Sequence, residues 1–229
     1  MKKVLLPILL LMAISFMFAV ESAPSAIVGY VKYQCDTNEN GGLNLIALPF
    51  VIPYTQASEL GDAIGTDNID AISYWDAANQ YWLSASWPGE WVDDFPIASN
   101  DVLLVNYILP APTTTYFYAM GSLASNPVYS FDLNANGGLN TMMVPLNQAS
   151  LTTASALGNS IGAEAGNIDA ISYWDTPNQT WFSATWPGEW VDDFPISIGM
   201  PLLVNITSSG VVWPGTKNVQ NLKASRASK

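Results

Sequence analysis

The feature that most constrains this 229-residue chain is an internal repeat. Residues 68–97 recur at residues 167–196, and only five of the thirty positions differ, at 77, 78, 81, 83 and 86 of the first copy. Similarity extends outward on both sides, so two like segments cover residues 27–110 and 126–214. A chain with such self-similarity is expected to fold as two tandem homologous modules.

Each module reads as mainly β with one short helix. Alternating and continuous apolar runs bounded by Gly, Pro, Asn and Asp predict short strands, and a glycine follows the single helical pattern. Small sandwiches or barrels bury strands of this length, so we expect two β-sandwich or barrel-like modules. In the first copy the predictions are strands at 28–34, 43–48, 71–75, 81–87 and 102–107 and a helix at 57–64, and in the second they are strands at 128–133, 139–144 and 201–206 and a helix at 154–161. The 43–48 run is apolar on both faces, which favours a central strand.

The segments outside the modules differ in composition. Residues 1–25 carry two lysines and then an apolar run, which predicts a secretory signal peptide, with a membrane anchor as the alternative. Residues 111–125 begin with Pro and Thr and are expected to form an extended linker. Residues 215–229 hold four cations and no acid, which predicts a basic disordered tail.

Charge excludes one class of partner. Residues 27–214 contain 18 Asp or Glu and a single cation, Lys32. Such an acidic body repels phosphates, so we expect no nucleic acid binding. The basic tail, in contrast, is suited to an acidic surface, either of a neighbouring copy or of an anionic surface polymer.

Catalysis is not expected from these residue types. The chain has no histidine, which removes the commonest general base and the histidine-dependent metal sites. A glycosidase with paired carboxylates is the remaining enzymatic hypothesis. Its candidate residues are Glu90, Asp93 and Asp94, with Glu189, Asp192 and Asp193 in the second copy.

The tryptophans suggest a ligand site. Strand alternation sets Trp75 and Trp82 among serines on one face of the predicted hairpin, and Trp174 and Trp181 repeat this. Indole faces stack on sugar rings, so a carbohydrate platform is one interpretation. Packing against the helix or the other module is the alternative. Trp91 and Trp190, in loops beside carboxylates, are expected to be more exposed.

A loop in each module partly resembles a calcium-binding loop. Its oxygen-bearing side chains fall at positions one, three and five, and glycine follows at position six. The expected bidentate glutamate at position twelve is Ala47 in one copy and Met143 in the other. Ca²⁺ is therefore a weakly supported alternative to an ordinary turn, and otherwise we expect no cofactor. The candidate ligands are Asp36, Asn38 and Asn40 in the first copy and Asp132, Asn134 and Asn136 in the second.

Several motifs resemble a poorly characterised repeat module of bacterial secreted and cell-surface proteins. They are Gly-Gly-Leu-Asn-Leu-Ile-Ala-Leu-Pro, Tyr-Trp-Asp-x-x-x-Gln-x-Trp, Asp-Phe-Pro-Ile and Leu-Leu-Val-Asn. That module has a Gly-Trp-Asn-Leu-Ile-Ser-Leu-Pro signature, in which Leu43 replaces the tryptophan here. The resemblance implies an extracellular or cell-surface setting in bacteria and no active site.

Two functions follow as hypotheses. The first is a secreted structural protein that associates with itself, or with other surface proteins, in a fibre or layer. Its support is the tandem repeat and the opposed charges of body and tail. The second is a tandem carbohydrate-binding protein that binds polysaccharide through the tryptophans.

Overall fold

The computed structural model describes residues 28–214, so the predicted signal peptide and basic tail lie outside it. The fold class is confirmed: the chain is mainly β, with antiparallel sheets of β-sandwich-like character. Within residues 28–214 no helix has the length and apolar character needed to cross a membrane. In the same range the strands are β1 (Val28–Thr37), β2 (Leu43–Ala47), β3 (Phe50–Val51), β4 (Ile69–Asp76), β5 (Tyr81–Ser86), β6 (Val102–Tyr107), β7 (Thr113–Leu123), β8 (Tyr129–Ser130), β9 (Leu139–Met143), β10 (Ile168–Asp175), β11 (Thr180–Thr185), β12 (Pro201–Ile206) and β13 (Val212–Trp213).

Two four-stranded antiparallel sheets repeat one arrangement. The first has the order β2-β6-β4-β5, and the second has the matching order β9-β12-β10-β11. The predicted hairpin register is confirmed, since Trp75 lies opposite Trp82 and Trp174 opposite Trp181. Tyr74 and Ile72 consequently face the core, as the alternation of the sequence requires.

The helices begin and end at the predicted residues. They are α1 (Ala57–Ile64) and α2 (Ala154–Ile161), and a 3₁₀ turn follows α2 at Ala163–Ala165. Each α-helix packs on the central strand of its sheet, β4 or β10. Before the last strand of each four-stranded sheet the chain turns through a residue of positive φ, 76° at Asn100 and 77° at Gly199.

The prediction that residues 43–48 form a central strand was wrong. β2 lies at the edge of its sheet, and β9 lies at the edge of the other. Ile46 and Leu48 are nevertheless fully buried, because β1 and the other repeat cover this edge. A run that is apolar on both faces here indicates burial by other parts of the fold, and not a central position in the sheet.

The predicted linker contains the longest strand. β7 pairs with β1 over ten residues, and its far end pairs with β3, giving a three-stranded sheet of order β1-β7-β3. The extended backbone expected there is present, but as a paired strand. In the second repeat the matching pair is only two residues long, β8 with β13, so the predicted strand at 128–133 is largely irregular.

Candidate functional site

Two of the predicted site tryptophans, Trp75 and Trp174, bind across the junction between the two repeats. The Trp75 indole N–H donates to the Leu139 carbonyl oxygen at 2.8 Å. The Trp174 indole N–H donates to the Leu43 carbonyl oxygen at 2.7 Å. Leu43 and Leu139 open the edge strands β2 and β9, so each repeat extends its hairpin to the sheet edge of the other.

Two glutamines that sequence reasoning did not single out as site residues complete the junction. Gln179 accepts from the Leu43 amide at 2.8 Å and donates to the Leu43 carbonyl at 2.9 Å. Gln80 forms the same pair with Leu139, at 3.0 and 2.9 Å. A side-chain amide here satisfies both main-chain groups of an edge residue, as a neighbouring strand residue would. We call these reciprocal contacts of Trp75, Gln80, Trp174 and Gln179 the repeat lock.

The lock explains the glycine pair that precedes each edge strand, at residues 41–42 and 137–138. A Cβ on Gly137 would lie 2.8 Å from Gln80 Oε1, and one on Gly41 would lie 3.2 Å from Gln179 Oε1. A Cβ on Gly42 would lie 1.9 Å from the Tyr107 carbonyl oxygen. Glycine therefore allows both the docked glutamine and the adjacent strand to approach.

The candidate calcium loops contribute to the same junction. The Asn38 side-chain amide donates to the Pro177 carbonyl at 2.8 Å, and Asn134 donates to the Ala78 carbonyl at 2.7 Å. The Asn38 side-chain oxygen accepts from the Asn40 amide at 2.8 Å. Asn134 and Asn136 repeat this turn contact, also at 2.8 Å.

The acidic residues of these loops are also engaged. The Asp36 carboxylate accepts from the Thr114 hydroxyl at 2.6 Å and from the Gln34 side-chain amide at 2.9 Å. Asp132, its counterpart, lines a cavity between the repeats. The Asp36 and Asn38 side-chain oxygens thus accept hydrogen bonds within the chain and help to fix this turn, while Ca²⁺ binding stays a prediction.

The hairpin tryptophans form edge-to-face pairs. The ring centroids of Trp75 and Trp82 are 5.3 Å apart, as are those of Trp174 and Trp181. Trp75 is only 8 % exposed, and the other three are half-buried. An indole stacks on a sugar only where its face is open, so Trp75 fulfils the packing alternative rather than the platform.

Trp91 and Trp190 are less exposed than expected. Each is half-buried and covers a glycine of its helix, so a Cβ on Gly61 would lie 2.0 Å from the Trp91 ring and one on Gly158 would lie 1.9 Å from the Trp190 ring. The Trp91 N–H donates to Asp62 at 2.8 Å. Glycine inside each helix therefore allows an indole to approach the helix backbone closely.

Two of the six carboxylates considered for glycoside cleavage cap helices, and the other four lie exposed in loops. Asp94 accepts from the Ser58 amide at 2.9 Å and from the Ser58 hydroxyl at 2.5 Å, and thus caps the first turn of α1. Asp193 binds Ser155 in the same way at the start of α2. Glu90, Asp93, Glu189 and Asp192 are exposed.

One carboxyl at the junction has a strongly perturbed pKa. Asp101 lines a cavity of about 180 Å³ between the repeats, together with Tyr74 and Tyr129. Burial raises the pKa of Asp101 to about 6, and the hydrogen bond from the Ala98 amide opposes this rise. Met200 occupies the matching position of the second repeat, so this carboxyl is peculiar to the first.

An exposed aromatic face lies away from the junction. Tyr30 is 67 % exposed and Met120 is 62 % exposed, and they are register partners in β1 and β7. Tyr118 lies 6.3 Å from Tyr30, and the Lys32 ammonium lies 3.5 Å from the centroid of the Tyr116 ring. In the sequence, the alternation of Tyr116, Tyr118 and Met120 indicates a strand with one aromatic face, whereas residues 111–125 were predicted to be a linker.

Comparisons of the chain with family models, curated proteins and solved structures find no match. Function is therefore inferred from the chemistry of the residues themselves.

Proposed function

We propose that this protein is a secreted, non-enzymatic structural protein that associates with copies of itself outside a bacterial cell. The observation that carries the proposal is the repeat lock. It engages Trp75 and Trp174 inside the chain, and the Asn38 and Asn134 side chains add contacts across the same junction. These four sequence-predicted site residues therefore stabilise a two-repeat body. Apolar side chains are left exposed on the sheet β1-β7-β3 instead.

That exposed face supports association. Tyr30, Met120 and Val51 are each more than half exposed, and the strand register sets them on one face of this small sheet. Contiguous apolar side chains on a surface are typical of contact sites with another macromolecule. The same sheet holds Lys32, the single cation of residues 27–214.

Charge supports contacts between copies. The body carries 18 acids and the segment 215–229 carries four cations, so the tail of one copy is attracted to the body of the next. Contacts between exposed charges weaken as salt rises, because the Debye length falls to about 3 Å at 1 M salt. Association is accordingly expected to depend on salt.

The carboxylate geometry supports a role without catalysis. Asp94 and Asp193, two of the six candidate carboxylates, form three hydrogen bonds each with helix starts and their own following residue. A glycosidase needs an acid and a nucleophile directed at one sugar bond. Asp94 and Asp193 are instead directed at helix amides.

Carbohydrate binding is the second candidate function, because each repeat carries a further pair of half-buried indoles. Trp87 and Trp91 have centroids 5.5 Å apart, and Trp186 and Trp190 have centroids 5.6 Å apart. Both pairs flank exposed loops that contain Glu90 or Glu189. If this candidate is correct, Trp87→Ala with Trp186→Ala abolishes retention on a polysaccharide column without unfolding the protein.

The test is sedimentation of the chain from Ala26 to Lys229 at low and high salt, with electron microscopy of the same samples. We expect ordered fibres or sheets at low salt and smaller species at high salt. Deletion of residues 215–229 should reduce association. A discrete monomer at every salt and protein concentration would contradict the proposal.

A further inference from the structure

Within residues 28–214, β1 is the outer strand of its sheet, and no other strand covers its main-chain edge over residues 28–34. The edge is occupied only near the end of β1, where the Asn44 side chain binds the Asp36 main chain. The edges of β2 and β9, by contrast, are covered at Leu43 and Leu139 by the repeat lock. An uncovered strand edge is a template for another strand.

The direction of the outward groups follows from one hydrogen bond. The Asp36 amide donates to the Asn44 side chain at 2.8 Å, so it points away from β7. In an antiparallel pair every second residue directs its N–H and C=O to the same side. Tyr30, Lys32 and Gln34 therefore direct their main-chain groups outward, along the free edge.

Charge identifies where two acidic copies can meet. Residues 28–35 and 113–123 contain no Asp or Glu, and Lys32 lies among them. The acid at the end of β1, Asp36, is held by Thr114 and Gln34. The sheet β1-β7-β3 is thus a part of the body where a second copy meets little repulsion and finds a cation.

We propose that two copies pair through β1, edge to edge and antiparallel, to form one continuous sheet of order β3-β7-β1-β1-β7-β3. Two identical strands in antiparallel contact are self-complementary, which suits a two-fold interface. A register centred on Val31 sets Tyr30 of each copy opposite Lys32 of the other, a cation–π pair like that of Lys32 with Tyr116. The pairing also sets the two exposed tyrosine faces side by side. This inference rests on the proposed self-association and names its contact.

The test replaces an outward N–H by proline. Lys32→Pro removes an outward donor while the β1–β7 hydrogen bonds, which involve the alternate residues, are retained. Lys32→Gln is the matched control, since it removes the cation and keeps the N–H. Sedimentation velocity over a concentration series, on the chain from Ala26 to Lys229, gives the concentration of half-association for each.

We expect Lys32→Pro to raise that concentration about tenfold or more, because main-chain hydrogen bonds and the approach of the edges are lost. Lys32→Gln should raise it by a smaller factor, because only the cation–π pairs are lost. Circular dichroism establishes whether each variant is folded. If Lys32→Pro does not fold, Tyr30→Pro removes another outward N–H of β1 and replaces it in the test. A folded proline variant that associates like wild type overturns the inference, and so does Lys32→Gln if it weakens association as much as proline does. Wild type that never associates contradicts the proposed function itself, so the two failures are distinguishable.

Discussion

The Gln179 side-chain amide binds the main chain of Leu43 as a strand would, accepting from its N–H at 2.8 Å and donating to its C=O at 2.9 Å. The two residues are 136 positions apart, and Gln80 repeats the relationship with Leu139. Each repeat thereby covers the sheet edge of the other. The reciprocity gives the two repeats a pseudo-two-fold relationship at their junction.

Removal of one side of the lock should lower the free energy of unfolding. Gln179→Ala deletes both hydrogen bonds to Leu43 and leaves the Leu43 N–H without a protein partner, while the Leu43 carbonyl keeps its bond from Trp174. We therefore expect a loss of about 1–3 kcal/mol by chemical denaturation. Gln179→Glu should not restore stability, since a carboxylate has no donor for the Leu43 carbonyl. Gln148→Ala is the control, because within residues 28–214 its side chain makes no hydrogen bond. Equal stability of Gln179→Ala and Gln148→Ala would contradict the lock.

The contact of Trp91 with Gly61 predicts that Gly61→Ala changes stability in opposite directions with and without the indole. Gly61→Ala should destabilise the protein by about 2 kcal/mol or more, because the new Cβ would lie 2.0 Å from the indole and overpack the contact. In a Trp91→Ala background the same change should stabilise by about 1 kcal/mol, the helix preference of alanine over glycine. Urea titrations of the four proteins in this cycle measure both effects. Additive effects would mean that the indole does not restrict this site.

The helix caps predict a difference between adjacent aspartates. Asp94→Ala removes the acceptor of the Ser58 amide and hydroxyl and should cost about 1–2 kcal/mol of stability. Asp93→Asn, at an exposed residue with φ of 56°, should change stability by less than about 0.5 kcal/mol. Thermal unfolding of both variants compares them directly. A larger loss for Asp93→Asn would contradict the assignment of Asp94 as the cap.

Asp101 predicts a stability change with pH. Its pKa is about 6 in the folded protein against 3.8 for the ordinary carboxyl, so the folded state binds the proton more tightly. This contribution is fully present below about pH 4 and is lost as pH rises through about 6. Asp101→Asn keeps an acceptor for Ala98 without the charge, and should stabilise the protein at pH 7 by up to about 3 kcal/mol.

The comparison is best made as the stability difference between Asp101→Asn and wild type at pH 4 and pH 7. We expect a small difference at pH 4 and a larger one at pH 7. Glu90→Gln, at an exposed carboxyl, is the control and should show no such rise. A difference that does not increase with pH would contradict the buried position of Asp101.

Local structure was predictable from the sequence where local patterns decide it. The bounds of α1 and α2, the Trp75–Trp82 register and the positive φ of Asn100 all follow from periodicity and turn chemistry. Long-range packing was not predictable in this way. The position of β2 at an edge depends on groups more than 100 residues away. The alternation of Tyr116, Tyr118 and Met120 indicates a strand but does not show that β7 pairs with β1 and β3.

The candidate site illustrates the same limit. The sequence places Trp75 and Trp174 on one hairpin face, but whether that face meets solvent or the other repeat depends on tertiary structure. Gln80 and Gln179 carried one usable signal in the sequence, since both lie at the same place in a duplicated turn. The structure adds that both have positive φ, at 60° and 50°. A bulky polar residue held in that conformation indicates a side chain fixed by a partner.

Amide hydrogen exchange of the chain from Ala26 to Lys229, dilute and concentrated, tests the central claim most directly. Leu43 and Leu139 amides should be protected at both concentrations, because the lock lies within one chain. Tyr30, Lys32 and Gln34 amides should exchange fast in dilute solution and slowly in the associated protein. Protection of Leu43 and Leu139 only on association, or fast exchange at β1 in the assembly, would contradict the account.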